Sequence, residues 1–403
     1  MKTTMVIPSY WTRESTEGVK DTDAVYDHPT PIEQEGTLGR ALESLGLLEE
    51  KDFELVVIAA ANAEDIQARV EEKVSHIISS APSHVRTYLF SHSHLGQIHE
   101  VMRESGGGGY VDLLKLRGYS NIRNLCLFLP HLFSSDIAIL IDDDEVFEDP
   151  EFMGKAREFI GKDLDIGFIG AVAGYYLRPD GKWRVKVDKK PWMDYWDKLD
   201  RMNEAFEKII GRGPRLKETP FVFGGNMVVH REVFTRIPFD PFVTRGEDID
   251  FLINMKMFGY RFFLDNTLSI RHLPPAKTYP VWKQLREDIY RFVRERAKLR
   301  DQEATEDMFH VSVESLEPYP GAFLGDDLED KIARASEALA AHYLSQDKRA
   351  DAKEALRNIE IARVQATPQE NAFHRLLRMK RLWEEMMDFT ASENLRERLR
   401  RVF

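Results

Sequence analysis

The chain has one cysteine, Cys126, in 403 residues. No internal disulfide can form, so a disulfide-stapled secreted fold is excluded and a reducing compartment is expected, the cytoplasm by default. Long apolar runs are also missing. No stretch approaches the ~20 apolar residues needed to cross a bilayer, and MKTTMVIPSY enters a strand-like run without the apolar core of a signal peptide. A membrane role is expected to be peripheral at most. Basic excess is lacking too: 68 Asp and Glu against 56 Lys and Arg leave a net charge of −12, which argues against a general nucleic-acid binder. Any phosphate-bearing partner must therefore be met by a local cluster of charge.

What is present is alternation. Short apolar runs at Thr3–Tyr10, Phe53–Ala61, Val85–Phe90, Ile137–Ile141 and Ile166–Tyr176 read as strands, and the segments near Thr37–Leu47, Ala63–Ile78 and Tyr119–Leu132 read as helices between them. Helix-linked strands are normally parallel and covered on both faces, with ligands at their carboxyl ends. The expected class is α/β, a mixed and mostly parallel sheet flanked by helices. From about residue 280 the chain becomes charged helix, so residues 1–280 are expected to form one domain and 281–403 a helical extension. Amphipathic stretches at Met379–Met387 and Leu395–Phe403 are expected to pack on their own domain or on a second subunit, which makes a homodimer plausible. Gly106–Gly109 reads as a mobile loop near a substrate, without the spacing of a phosphate-binding glycine motif.

The apolar run Ile137–Ile141 breaks into Asp142, Asp143, Asp144 and Glu145. Adjacent carboxylates repel, and a hard divalent cation such as Mn²⁺ or Mg²⁺ relieves that repulsion while bridging to phosphate. On an extended backbone Asp142 and Asp144 would share a face and Asp143 would turn aside. A solvated acidic turn leading to a helix start near Asp149 and Pro150 is the alternative. Three further segments bear on the choice. In Gly118–Leu127, Ser120 or Asn121 is expected to cap a helix with Arg123 and Asn124 in its first turn, where phosphate binds readily. Gly224-Gly225 before Asn226 permits close backbone approach. Glu247 and Asp248 open a helix ending at Gly259, a strand at Tyr260–Leu264 follows, and one of the two carboxylates can serve as a general base. His272 can offer a nitrogen to the same metal.

In this order the pieces resemble the GT-A glycosyltransferase superfamily, especially family 2-like enzymes that use nucleotide-sugar donors. The resemblance spans about the first 280 residues and rests on order and spacing. It implies Pro8, Ser9 and Tyr10 beside the nucleotide base, and Arg123 near a uridine or guanosine diphosphate. Lys115, Gly118, Asn124, Asp143, Gly224, Gly225 and Asn226 would complete the donor site. Asp142 and Asp144 would hold Mn²⁺ or Mg²⁺, with His272 as a further ligand, and Asp248 would activate the acceptor hydroxyl with Glu247 beside it. The sequence departs from the pattern after the second strand, where Asp65 is a displaced substitute for the expected acidic residue, and before Gly118, where Lys115 and Arg117 add positive charge.

The expected activity is a metal-dependent transfer of a hexose from a UDP- or GDP-hexose to a hydroxyl of a sugar or small molecule, with inversion. A retaining enzyme of the sugar-glycerate type, a nucleotidyltransferase and a non-catalytic scaffold stay open. For the acceptor, Trp192, Tyr195 and Trp196 are candidate platforms, although core packing suits at least two of them. The basic stretch Arg178, Lys182, Arg184, Lys186, Lys189 and Lys190 suits a phosphate-bearing acceptor or a solvated hairpin turning at Pro179-Asp180-Gly181.

Overall fold

The structure, a computed structural model, describes residues 1–18, 20, 23–275, 280–303, 305 and 308–403. The boundary expected near residue 280 thus falls beside residues 276–279, outside the described residues. The amino-terminal part runs β1 (Thr3–Thr12), β2 (Thr30–Pro31), α1 (Leu38–Ser44), β3 (Glu54–Ala61), α2 (Gln67–Ser80), β4 (Thr87–Phe90), α3 (His92–Glu104), α4 (Tyr119–Leu132) and β5 (Ile137–Ile141). The middle runs β6 (Glu145–Val146), α5 (Phe152–Glu158), β7 (Asp163–Leu164), β8 (Gly167–Phe168), β9 (Ala171–Leu177), α6 (Lys198–Ile209), β10 (Leu216–Glu218), β11 (Asn226–His230), α7 (Arg231–Phe234), α8 (Glu247–Met257) and β12 (Phe262–His272). The helices α9 (Val281–Asp301), α10 (Leu328–Leu344), α11 (Arg349–Glu360), α12 (Ala372–Thr390) and α13 (Glu393–Arg400) follow.

One twisted sheet orders its strands β10-β12-β9-β11-β5-β1-β3-β4, with β2 beside β1 and β6 beside β12. The strands β4, β3, β1 and β5 are parallel, as helix-linked strands should be. Beyond them β11 runs antiparallel to both β5 and β9. Side-chain alternation along β1 divides the core: Val6 and Tyr10 face a layer with α4, α8, α9 and α12, while Met5, Ile7 and Trp11 face α1, α2 and α5. Each fully buried large apolar side chain contributes roughly 1.5–3 kcal/mol.

Three expectations need correction. The strand expected over Ile166–Tyr176 is split, because Gly167 takes a positive φ of 101° and closes a small hairpin before β9 begins. The short strand at Tyr260–Leu264 continues to His272 across a register shift between Leu264 and Ser269. Its polar interior hid this from the sequence pattern, since buried Asp265 is neutralised by Arg215 at 2.7 Å. The glycine run is not a mobile loop beside a substrate: it turns into a 3₁₀ segment at Gly108–Leu113, and Gly107 packs directly against Phe389 of α12.

The carboxyl-terminal helices cover the first core layer. Trp383 of α12 is buried and its indole donates to the Phe234 carbonyl at 3.0 Å. Phe403 meets the rings of Tyr88, Phe90 and Phe133. The apolar faces of both tail segments therefore point inward. Among the described residues no helix is long and apolar enough to cross a membrane.

Candidate active site

The acidic segment is a turn. After β5 ends at Ile141, the Glu145 amide donates back to the Asp142 carbonyl at 3.2 Å. The backbone over residues 142–144 is therefore turned and not extended, which corrects the basis of the expectation, although the Asp142 and Asp144 side chains both line the same cavity. Asp142 pairs with Arg123, with N···O separations of 2.8 and 3.0 Å. Asp143 points inward and accepts from Ser9 at 2.6 Å, and the Trp11 indole in turn holds Ser9 at 2.9 Å. Asp144 lies 3.2 Å from His272 Nε2. Pairing of β6 with β12 sets that contact, because it puts His272 opposite Glu145.

Burial pushes the Asp143 and Glu145 carboxyls well above the usual range, and the neighbouring aspartate charges add to the rise. Burial also acts to raise Asp144, but the hydrogen bond and charge of His272, helped by His28, bring it below its ordinary value. Glu145 Oε1 is buried without a hydrogen-bond partner. Among the described residues no three His, Cys, Asp or Glu side chains are arranged to hold a metal ion. Of the expected ligand set, Asp144 and His272 stand together, while Asp142 is engaged by Arg123.

Arg123 is the pivot. Gly118, at φ 85°, opens α4 in place of a Ser120 or Asn121 cap, and Ser120 instead donates to the Val243 carbonyl at 2.5 Å. Arg123 is therefore the fifth helical residue, not one of the first turn, and its side chain is 3% exposed. It bridges Asp142 to Glu247, whose Oε1 lies 3.3 Å from Nε. Asn124 is structural: its amide exchanges hydrogen bonds with the backbone of Phe239 at 2.8 and 2.9 Å.

Gly246, at φ 74°, leads into α8. Glu247 is pushed from 4.5 up to about 7 by burial and by the Asp248 charge, against the pull of Arg123. Asp248 is likewise raised by burial, with Arg291 opposing the rise, and its Oδ1 accepts from the Ile249 amide at 2.8 Å. The raised Glu247 sets a pH dependence. Its folded form binds a proton more tightly than the unfolded form, so stability is highest below about 4.5, falls as pH rises toward about 7, and then levels off. The span is on the order of 1–3 kcal/mol. Thermal unfolding between those pH values should show this slope, and Glu247→Gln, which cannot ionise, should flatten it.

The glycine pair lets these groups close together. A Cβ on Gly225 would collide with Glu145 Oε1 and stand 2.7 Å from Asp142 Oδ2, and one on Gly224 would stand 2.9 Å from Arg123. The Gly225 amide donates to the Tyr176 hydroxyl at 2.7 Å, and the Tyr176 ring stacks on His272 with centroids 4.7 Å apart. Gly225→Ala is expected to lose about 1–3 kcal/mol through overpacking. Urea unfolding with an unchanged m-value would register it.

These groups line a cavity of about 630 Å³. Tyr10, Arg123, Asp142, Asp143, Asp144, Gly224, Glu247, Asp248 and His272 all reach it. The other expected donor residues do not. Pro8 is paired with Ile58 inside the sheet, and Ser9 serves Asp143. Lys115 is on the surface 3.8 Å from Asp112. Gly118 donates to the Tyr26 hydroxyl at 3.2 Å, Gly225 lies behind Tyr176, and Asn226 donates to the Leu268 carbonyl at 3.2 Å. Asp65 is paired with Arg13. Of the expected aromatic platforms, Trp196 is buried against Phe292 and Phe323, and neither Trp192 nor Tyr195 lines the cavity. Trp183 does, with Arg178 and Lys186 of the basic stretch. Sequence reasoning missed Tyr176, Arg245, Asp288, Arg291 and Tyr319, which also line it. Arg291 and Asp288 sit within an amphipathic helix, where a charged residue reads as solvated surface.

A parallel β4-β3-β1-β5 half joined to antiparallel β11, with an acidic turn at the carboxyl end of β5, fixes the fold type. The fold is α/β, a mixed and mostly parallel sheet flanked by helices. No family model and no curated protein matches the chain. Solved structures to which the chain is similar include a mannosyltransferase, PcManGT from Pyrobaculum calidifontis in complex with GDP-Man and Mn²⁺. It shares 14% identity at a TM-score of 0.45 over 98% of this chain and 87% of that one. A mycobacterial protein follows at 14% and 0.39, over 72% of each chain. Mouse xyloside xylosyltransferase 1 matches at 13% and 0.29, over 58% of this chain and 68% of that one.

Proposed function

We propose that the cavity binds a nucleoside-diphosphate hexose and transfers the hexose to a hydroxyl acceptor with inversion. The observation that carries this reading is the convergence of three devices in one cavity at the carboxyl end of β5: the Asp144–His272 pair, the buried Arg123 bridging Asp142 and Glu247, and Asp248 at the start of α8. The division into a transferase unit, 1–280, and a helical extension, 281–403, belongs to the same proposal, with α9 lending Asp288 and Arg291 to the cavity wall.

The donor set fits a divalent cation. Asp144 and His272 are adjacent and reach the cavity, and Asp142 and Asp143 reach it beside them. Two protein ligands suffice for Mn²⁺ or Mg²⁺ when phosphate oxygens and water complete the shell. A cation bound there would stabilise the charge that develops on the departing diphosphate.

The chain's own residues do the rest. Arg123 holds Asp142 and Glu247 in place and offers fixed positive charge near the diphosphate. Asp248 takes the acceptor hydroxyl proton as the oxygen forms its bond to the anomeric carbon, and the bond from that carbon to phosphate breaks with its electron pair leaving on the diphosphate. Tyr176 and Trp183 line the cavity and limit water beside the reacting carbon.

Calorimetry with UDP, GDP and their hexose conjugates, with Mn²⁺ or Mg²⁺ and again with chelator, tests the reading. Tight binding of one nucleotide that requires metal and is lost in Asp144→Ala and His272→Ala is expected. Metal-independent binding, or binding unchanged in both variants, would remove the cation assignment, and pyrophosphate release from a nucleoside triphosphate would replace the transferase with a nucleotidyltransferase.

A further inference from the structure

The cavity is polarised. Its acidic side is the turn after β5 with Glu247 and Asp248, and next to the α8 start it gathers cations from three elements: Lys198 at the start of α6, Arg245 just before α8, and Arg291 on α9. Lys198 and Arg291 share one carboxylate, Asp288, at 2.5 and 4.0 Å. Arg245 pairs with Asp27 at 3.1 Å. Burial pushes Glu287 and Glu295 up, and neither lines the cavity. Where Lys198, Arg245 and Arg291 line it, their ion-pair partners are Asp288 and Asp27, and the Arg291 charge also acts on Asp248. Arg291 is 7% exposed and its Nε is buried without a hydrogen-bond partner. Lys198 is drawn down to about 8 by burial, opposed by Asp288 and reinforced by Arg245 and Arg291. Cations gathered on one cavity wall, one of them with a buried unused donor, are best completed by an anion.

Position supplies the second argument. Gly246 has no side chain where a Cβ would collide with the Arg291 guanidinium, so Arg291 packs against the residue that precedes Glu247 and Asp248. The cationic wall and Asp248 thus flank the same turn, and the Arg291 charge acts on the Asp248 carboxyl. A molecule anchored by its charge on this wall would present its remaining groups to Asp248.

We infer that the acceptor is a small hydroxylated anion, a carboxylate or a phosphate ester, whose charge is held by Lys198, Arg245 and Arg291 while its hydroxyl faces Asp248. The inference rests on the transferase reading for the role of Asp248, but the anion site can be tested apart from it. Calorimetry on the full chain would first measure GDP and UDP with metal, and then glycerate, glycerol 3-phosphate and uncharged glycerol, each at millimolar concentration, on free and nucleotide-loaded protein. One anionic probe should bind and glycerol should not, and the preference between the two anions names carboxylate or phosphate. Lys198→Met should weaken the anion at least tenfold and leave nucleotide affinity within about twofold, while Lys198→Arg should restore much of the loss. Failure of both anions to bind, or glycerol binding as well as they do, overturns the inference. Loss of nucleotide affinity in Lys198→Met with anion binding intact also overturns it, since the wall would then serve the donor, and the transferase reading would survive. Anion binding that depends on Lys198 in a protein that binds neither nucleotide would uphold the anion site and remove the transferase reading.

Discussion

Arg123→Met is expected to destabilise the protein by roughly 3–5 kcal/mol, the usual cost of stripping one partner from a buried ion pair. Arg123 is 3% exposed and is the cation between Asp142 and Glu247, at 2.8 and 3.3 Å. Its removal leaves two carboxylates facing each other across a desolvated gap beside Asp143 and Glu145, which are already pushed upward. The deficit should be largest above pH 7 and shrink in acid. Glu247, at about 7 even with its partner present, would titrate higher still without it. Protonation then removes the unpaired charge, and a group raised in the folded state loses its stabilising effect as pH rises. Urea unfolding at two pH values measures both effects. Arg123→Lys keeps the charge but loses the planar fork that reaches both carboxylates, so it should fall between the two. Equal stability of wild type and Arg123→Met at pH 8 would mean that the bridge is dispensable.

Asp248→Asn is the second large effect. Removing a general base typically costs 10²–10⁴-fold in rate, and the amide keeps the shape and can still accept from the Ile249 amide, a contact of 2.8 Å in the native chain. Sugar transfer should fall by about that factor with nucleotide affinity nearly unchanged, because Asp248 faces the acceptor and not the diphosphate in the proposed arrangement. Glu247→Asn would not be equivalent, since Glu247 also anchors Arg123. A product whose anomeric configuration is retained would remove the base assignment, whatever the size of the rate loss.

The outline of this site was legible where chemistry and periodicity agree. An apolar strand that ends in Asp142, Asp143 and Asp144 announces charge at the edge of a sheet, and Glu247-Asp248 announces a helix start, because both patterns are local. The partner choices of the four carboxylates were not local. Whether Asp142 faces Asp144 depends on the backbone turning at Ile141, and the turn is held by a hydrogen bond between Glu145 and Asp142 that no alternation rule predicts. Asn124 and Asn226 looked like ligand contacts because they adjoin the motifs, but both satisfy backbone groups in the packed interior. Arg291 and Tyr176 were invisible for the opposite reason, since each lies in an element that reads as ordinary helix or strand.

The sequence by itself determined the α/β class, the helical carboxyl terminus, the acidic cluster after β5 and the carboxylate pair of α8. These depend on residue type and on spacing within a few turns or strand residues, which local sterics and burial fix. Only the tertiary structure decided that Arg123 binds Asp142 and Glu247, that His272 stands beside Asp144, and that Lys198, Arg245 and Arg291 converge on one wall. Those contacts join residues from 19 to more than a hundred positions apart. Their energies arise from desolvated charge, whose sign and size depend on which groups the folded chain has brought within a few ångströms.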